Sequence, residues 1–97
     1  MLSHTRDGYA VTMPRFRVRR VQRRLRTRNH DPHVRAAAGR LDRLIDFLVG
    51  RSRRRSSQAT RFPVFDASLG GRRIVLHTRV VAPRRVELLY VRVRPRP

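Results

Sequence analysis

Near the C-terminal end of the chain a histidine, a tyrosine and several arginines recur at every second position. Arg73, His77 and Arg79 lie in one alternating run, residues 73–81, and Tyr90, Arg92 and Arg94 in another, residues 86–94. Cutting RNA without a metal needs a base for the 2′-hydroxyl proton, cations for the charge that builds on phosphorus, and an acid for the leaving oxygen. An imidazole that titrates near neutral pH suits the base, which assigns His77 that role. Arg73 and Arg92 would hold the phosphate, and Tyr90 would orient the substrate or stack on a nucleobase. Without any chemistry, the same set is a basic strand face carrying two rings.

Bringing these residues together requires a β-hairpin. Period-two alternation of branched and aromatic residues, broken at Ala82-Pro83-Arg84-Arg85, has that signature. Pro83 excludes a primed two-residue turn, because its ring fixes a negative φ where those turns need a positive one. A four-residue loop on a type I turn is expected instead, with Val81 opposite Val86. That register sets His77 opposite Tyr90, Val75 opposite Arg92 and Arg73 opposite Arg94, and opposed residues share a face. The other face collects Ile74, Leu76, Val80, Leu89, Val91 and Val93 for a core.

The totals frame what the hairpin serves. Ninety-seven residues make one domain with a modest core, and 25 basic residues against 6 acids give a net charge of +19. No lysine occurs, so all the basic side chains are arginines, whose planar fork matches phosphate oxygens. Such a charge repels itself unless a polyanion screens it, which points to nucleic acid. An excess of G and C in the gene, or translation from an overlapping frame, would also enrich arginine. The absence of cysteine excludes disulfides and zinc–thiolate sites. No cofactor or metal is implied, and no transmembrane segment is expected, which places the protein in the cytoplasm.

Along the chain, residues 1–8 lack periodicity and are expected to be a flexible terminus, with a single α+β domain over 9–97. Residues 9–13 alternate as a short strand. After Pro14, Val18, Val21 and Leu25 recur at helical spacing among Arg19, Arg20, Arg23 and Arg24, a basic helix suited to lie on nucleic acid. An amphipathic helix is expected over 31–49, with Asp31 as its cap, Pro32 at its first position and Gly50 as its stop. His30 and His33 flank that start and are read as helix-start residues. Residues 51–60 form a basic loop in which Arg53, Arg54 and Arg55 would bind phosphates. Residues 62–65 are expected to be a short edge strand because of Pro63, and Gly70-Gly71 supplies the turn into the hairpin.

This order of strand, two helices and antiparallel sheet resembles the RelE/ParE superfamily of small bacterial toxins. The likeness rests on Tyr9-Ala10-Val11-Thr12 before a basic helix, on the Ala-rich start of the second helix, and on Arg73-Ile74-Val75 leading to Val86-Glu87-Leu88-Leu89-Tyr90-Val91-Arg92. It implies an endonuclease that cuts mRNA on the ribosome or, in the ParE-like branch, a protein that acts on DNA gyrase. An acidic antitoxin-like partner is implied as well. Where family members carry a Tyr-Arg pair and a final His-Arg pair, this chain has Arg72-Arg73 and Val93-Arg94. Arg73 and Arg94 therefore carry over as phosphate-binding groups. Two readings stand: an RNA- or ribosome-directed basic protein, as a toxin-like mRNA endonuclease or its inactive relative, and a non-enzymatic arginine-rich accessory or ribosome-associated protein that binds polyanions by charge.

Overall fold

A computed structural model describes residues 2–27, 32–55 and 60–94 of the chain. The class is α+β, as expected from the sequence. A six-stranded mixed sheet has the order β1-β2-β6-β5-β4-β3, where β1 is Leu2–His4, β2 Ala10–Thr12, β3 Arg53–Arg54, β4 Val64–Leu69, β5 Arg72–Ala82 and β6 Arg85–Val93. All neighbouring pairs are antiparallel except β2 and β6, which run parallel through Val11↔Val86. Helix α1 (Arg15–Thr27) and the segment α2 (Pro32–Ala37), a 3₁₀ turn (Ala38–Arg40) and α3 (Leu41–Arg51) lie between β2 and β3 in the chain.

The core lies between the helices and one face of the sheet. Val21 and Leu25 of α1 and Leu44, Ile45, Leu48 and Val49 of α3 pack with Val11, Phe65, Ile74, Leu76, Val86, Leu88 and Val91. On α1 the apolar positions fall at helical spacing, so burying them turns Arg19, Arg20 and Arg23 to solvent.

Several expectations need correction. Leu2–His4, read as part of a loose end, form an edge strand on β2, and Ser3 Oγ donates to Asp46 of α3 at 2.8 Å. The helix expected over 31–49 is broken at Gly39-Arg40, where the poor helix former Gly39 adjoins a residue with φ −119° and ψ 58°. Gly50 stays inside α3. The stop is Ser52, whose N–H and Oγ both donate to the Val49 carbonyl. Arg53 and Arg54, read as loop, form β3, and residues 56–59 of that expected loop lie outside the described residues. The cap residue Asp31 and His30 lie outside them too.

The strand read at 62–65 runs instead from Val64 to Leu69 and lies inside the sheet between β3 and β5. Pro63 sits just before it, where the missing N–H costs no ladder bond, and its carbonyl accepts from Thr78 N and Oγ1. Gly70 and Gly71, with φ 58° and 76°, make the tight turn into β5.

The hairpin register is as expected from Ile74↔Val93 to His77↔Tyr90 and then departs. A bulge after His77 pairs Thr78 with Leu88, so Leu88 enters the core in place of Leu89. The shifted register runs on to Val80↔Val86, and a second irregularity follows between Val80 and Ala82; Val80 and Val81 are exposed, rather than Val80 sitting in the core. Ala82 pairs with Arg85 across a two-residue loop, not four. Pro83 supplies the negative φ and Arg84 a positive one of 55°, the sign pattern of a type II turn.

Candidate nucleic-acid interface

The sheet curls until its two ends meet. In the turn after β1, Arg6 N–H donates to the carbonyl of Ser52 at 3.0 Å, and Asp7 Oδ2 accepts from the Arg54 N–H of β3 at 3.1 Å. Tyr9 packs edge-on against Phe65 of β4, with ring centroids 5.2 Å apart, and its hydroxyl accepts from Arg54 Nη1. Burial alone would raise the Asp7 carboxyl pKa. The hydrogen bonds from Thr5 and Arg54 and the charge of Arg84 outweigh it and hold the pKa below the ordinary carboxylate value. Closing inward around the helices leaves the opposite face of β4, β5 and β6 outward.

That outward face carries the expected pair. His77 and Tyr90 stack with centroids 4.3 Å apart and planes 14° from parallel. Beyond the short β2 pairing, the Leu88–Val93 stretch of β6 has no strand neighbour on its outer side among the described residues. Helix α1 borders that edge. Arg24 reaches round it to place its guanidinium 5.6 Å from the Tyr90 ring, and one helical heptad earlier Arg17 bonds Glu87 at 3.1 Å. On the same face Arg73 bonds Asp66 at 2.8 Å, and Arg55 approaches the same carboxylate at 3.9 Å. Val75 is fully buried here, outside the main core, between its ladder neighbours Asp66 and Arg92.

His77 is held neutral. Burial lowers its pKa first, and Arg92, Arg94 and Arg55 lower it further. Its Nε2 is sealed from solvent and has no hydrogen-bond partner among the described residues. A sealed Nε2 cannot take a proton from a bound ribose in this arrangement. The ring instead packs face to face with Tyr90, over whose ring the Arg24 guanidinium also lies.

The structure therefore brings together His77, Tyr90, Arg24, Arg55, Arg73, Arg92 and Arg94. Arg79 shares the face, but Glu87 engages it at 3.1 Å. Arg19, Arg20 and Arg23 line the solvent side of α1. Arg54 stands apart, turned toward Tyr9 and Asp7, because it pairs with the inward Phe65. Arg53 opposes Asp66 at the sheet edge. Sequence reasoning missed the tie between Arg17 and Glu87 and a cleft lined by Arg6, Arg51 and Arg72. Nothing local marks that cleft, since it exists only after the turn following β1 has docked beside Ser52.

Among the described residues no three His, Cys, Asp or Glu side chains converge as metal ligands, and no helix is long and apolar enough to cross a membrane. No family model, curated protein or solved structure matches the chain.

Proposed function

We propose that the protein binds single-stranded RNA on the outward face of β4, β5 and β6. The observation that carries this reading is the His77–Tyr90 stack with the Arg24 guanidinium over the Tyr90 ring, and with Arg55, Arg92 and Arg94 close enough to depress the imidazole pKa. A base would take the place of Arg24 over that ring as Arg24 turns to a phosphate. Backbone phosphates take the guanidiniums, while an unpaired base stacks on Tyr90, a contact each base of a single strand can make and a duplex cannot. Ribosomal RNA or mRNA on the ribosome is the target class. An acidic protein partner would cover the same arginines, as an antitoxin would in the toxin-like form of the reading.

The test is fluorescence anisotropy with a labelled single-stranded oligoribonucleotide across a salt series. Tyr90→Ala is expected to weaken binding about tenfold, in line with the roughly 1–3 kcal/mol of one base–aromatic stack. Arg92→Gln is expected to flatten the salt dependence by about one phosphate contact. Unchanged affinity in Tyr90→Ala would reduce the interaction to charge alone, as in an arginine-rich accessory protein.

A second reading, metal-free strand cleavage with His77 as base, is favoured by the lowered His77 pKa, which leaves the imidazole unprotonated at neutral pH. It requires Nε2, buried in this arrangement, to be uncovered on binding. Cuts in ribosome-bound mRNA that vanish in a His77→Ala/Tyr90→Phe variant would establish it. Binding without cleavage by either protein would retire it.

A further inference from the structure

A concave site of about 430 Å³ opens beside Arg53↔Asp66, the pair at one end of the β3–β4 ladder. Its volume falls within the roughly 300–1,000 Å³ of sites that take small molecules. Five arginines, Arg6, Arg51, Arg53, Arg72 and Arg73, are among the residues that line it, against the one acid Asp66. These residues come from four places in the fold: the turn after β1, the end of α3, β3 and the start of β5. Ser68 adds a hydroxyl. Arg73 is held by Asp66 at 2.8 Å, so the carboxylate already balances one cation and leaves the site strongly positive.

This excess matches one kind of anion. An internal phosphodiester carries a single negative charge and needs only a flat, open surface such as the outward sheet face. A phosphate monoester carries about −1.5 to −2 at neutral pH and presents three acceptor oxygens. Several guanidinium forks around a concavity suit that dianion, since each can bond two oxygens at once.

We propose that the cleft at the β3 edge binds a terminal phosphate monoester, carried by the end of an RNA strand or by a free nucleotide. The RNA-end form rests on the reading above that the outward sheet face holds single-stranded RNA. The free-nucleotide form does not. Arg6 and Arg51 come from the turn after β1 and from α3 rather than from the outward sheet face, and both are exposed. Exchanging them leaves the core untouched and, beyond the cleft, gives up only the 5.1 Å contact between Arg51 and the exposed Phe47 ring. Arg6 is positioned through its backbone N–H, which a side-chain change preserves.

The experiment compares one oligoribonucleotide sequence in three forms, 5′-phosphorylated, 3′-phosphorylated and unphosphorylated, by anisotropy on wild type and an Arg6→Gln/Arg51→Gln variant. Thermal melts of both proteins with a nucleoside monophosphate, and with the matching nucleoside, run alongside. A terminally phosphorylated strand that binds about tenfold tighter than the unphosphorylated one, with the preference lost in the variant and the unphosphorylated affinity kept, supports the RNA-end form. A melting-temperature rise with the monophosphate, absent with the nucleoside and absent in the variant, supports the free-nucleotide form. Equal binding of all strands with no melting shift overturns the proposal, as does a preference or shift that survives in the variant. Failure of every strand to bind sinks the sheet-face reading on its own, because the melts still report on the cleft.

Discussion

His77 is the residue at which geometry and charge meet most directly. It stacks on Tyr90 with a sealed Nε2, and the charges of Arg92, Arg94 and Arg55 act on it, so protonation would add a fourth cation to three. With a folded pKa below the free value of about 6.5, the unfolded chain binds the proton first as pH falls. The stability tied to this neutral imidazole is therefore complete above about pH 6.5 and is lost as pH drops toward the lower folded pKa. Thermal melts between about pH 7.5 and pH 5 are expected to show a falling melting temperature in wild type and a shallower fall in His77→Phe, which keeps a ring under Tyr90. An NMR titration of His77 with a midpoint above 6.5 would contradict this account. The pairing of His77 with Tyr90 was legible in the sequence because the register counted from the turn holds again at that pair, the two irregularities between them offsetting each other. The sealing of Nε2 was not, since parity gives the face of a side chain and not what covers it.

At the scale of elements, legibility followed whether a signal was local. The Gly70-Gly71 turn, the span of α1 and the strand at residues 10–12 are written in glycine pairs, helical spacing and short alternation. The break in the second helix carried a weak mark in Gly39, and the bulge after His77 carried none. Leu88 and Leu89 are adjacent and equally apolar, so only packing decides which enters the core, and Leu88 does so. The β1–β2 hairpin was missed for a related reason: three residues of strand gain stability only by docking elsewhere. Asp7 is the centre of that docking, accepting from Thr5 Oγ1 at 2.7 Å and from the Arg54 N–H. Asp7→Ala is expected to cost about 1–2 kcal/mol in denaturant unfolding, because it removes the Arg54 N–H's acceptor as well as its own bonds. Faster amide exchange at Arg6 and Arg54 should accompany the loss. Unchanged exchange at both would show that the hairpin is held by its apolar contacts alone.

Across the whole molecule, the four acids whose side chains are described each tie two parts of the fold together. Asp7 joins the first turn to β3, Asp46 joins α3 to β1, Asp66 joins β4 to β5, and Glu87 joins β6 to α1 through Arg17. Six acids cannot match 25 arginines one for one, and the difference is the net charge of +19. The described chain still has a radius of gyration of 12.5 Å, close to the roughly 13 Å of a compact domain of this length. Compactness against that repulsion gives salt two opposite effects. Screening relieves the folded state, so the melting temperature without nucleic acid is expected to rise between about 50 mM and 500 mM salt. Over the same range RNA affinity is expected to fall steeply, because salt opposes the counterion release that drives phosphate binding. A chain that binds polyanions by charge alone and orders only on contact would share the second trend. It would show no cooperative melt when free, and circular dichroism across that salt range without RNA separates the two.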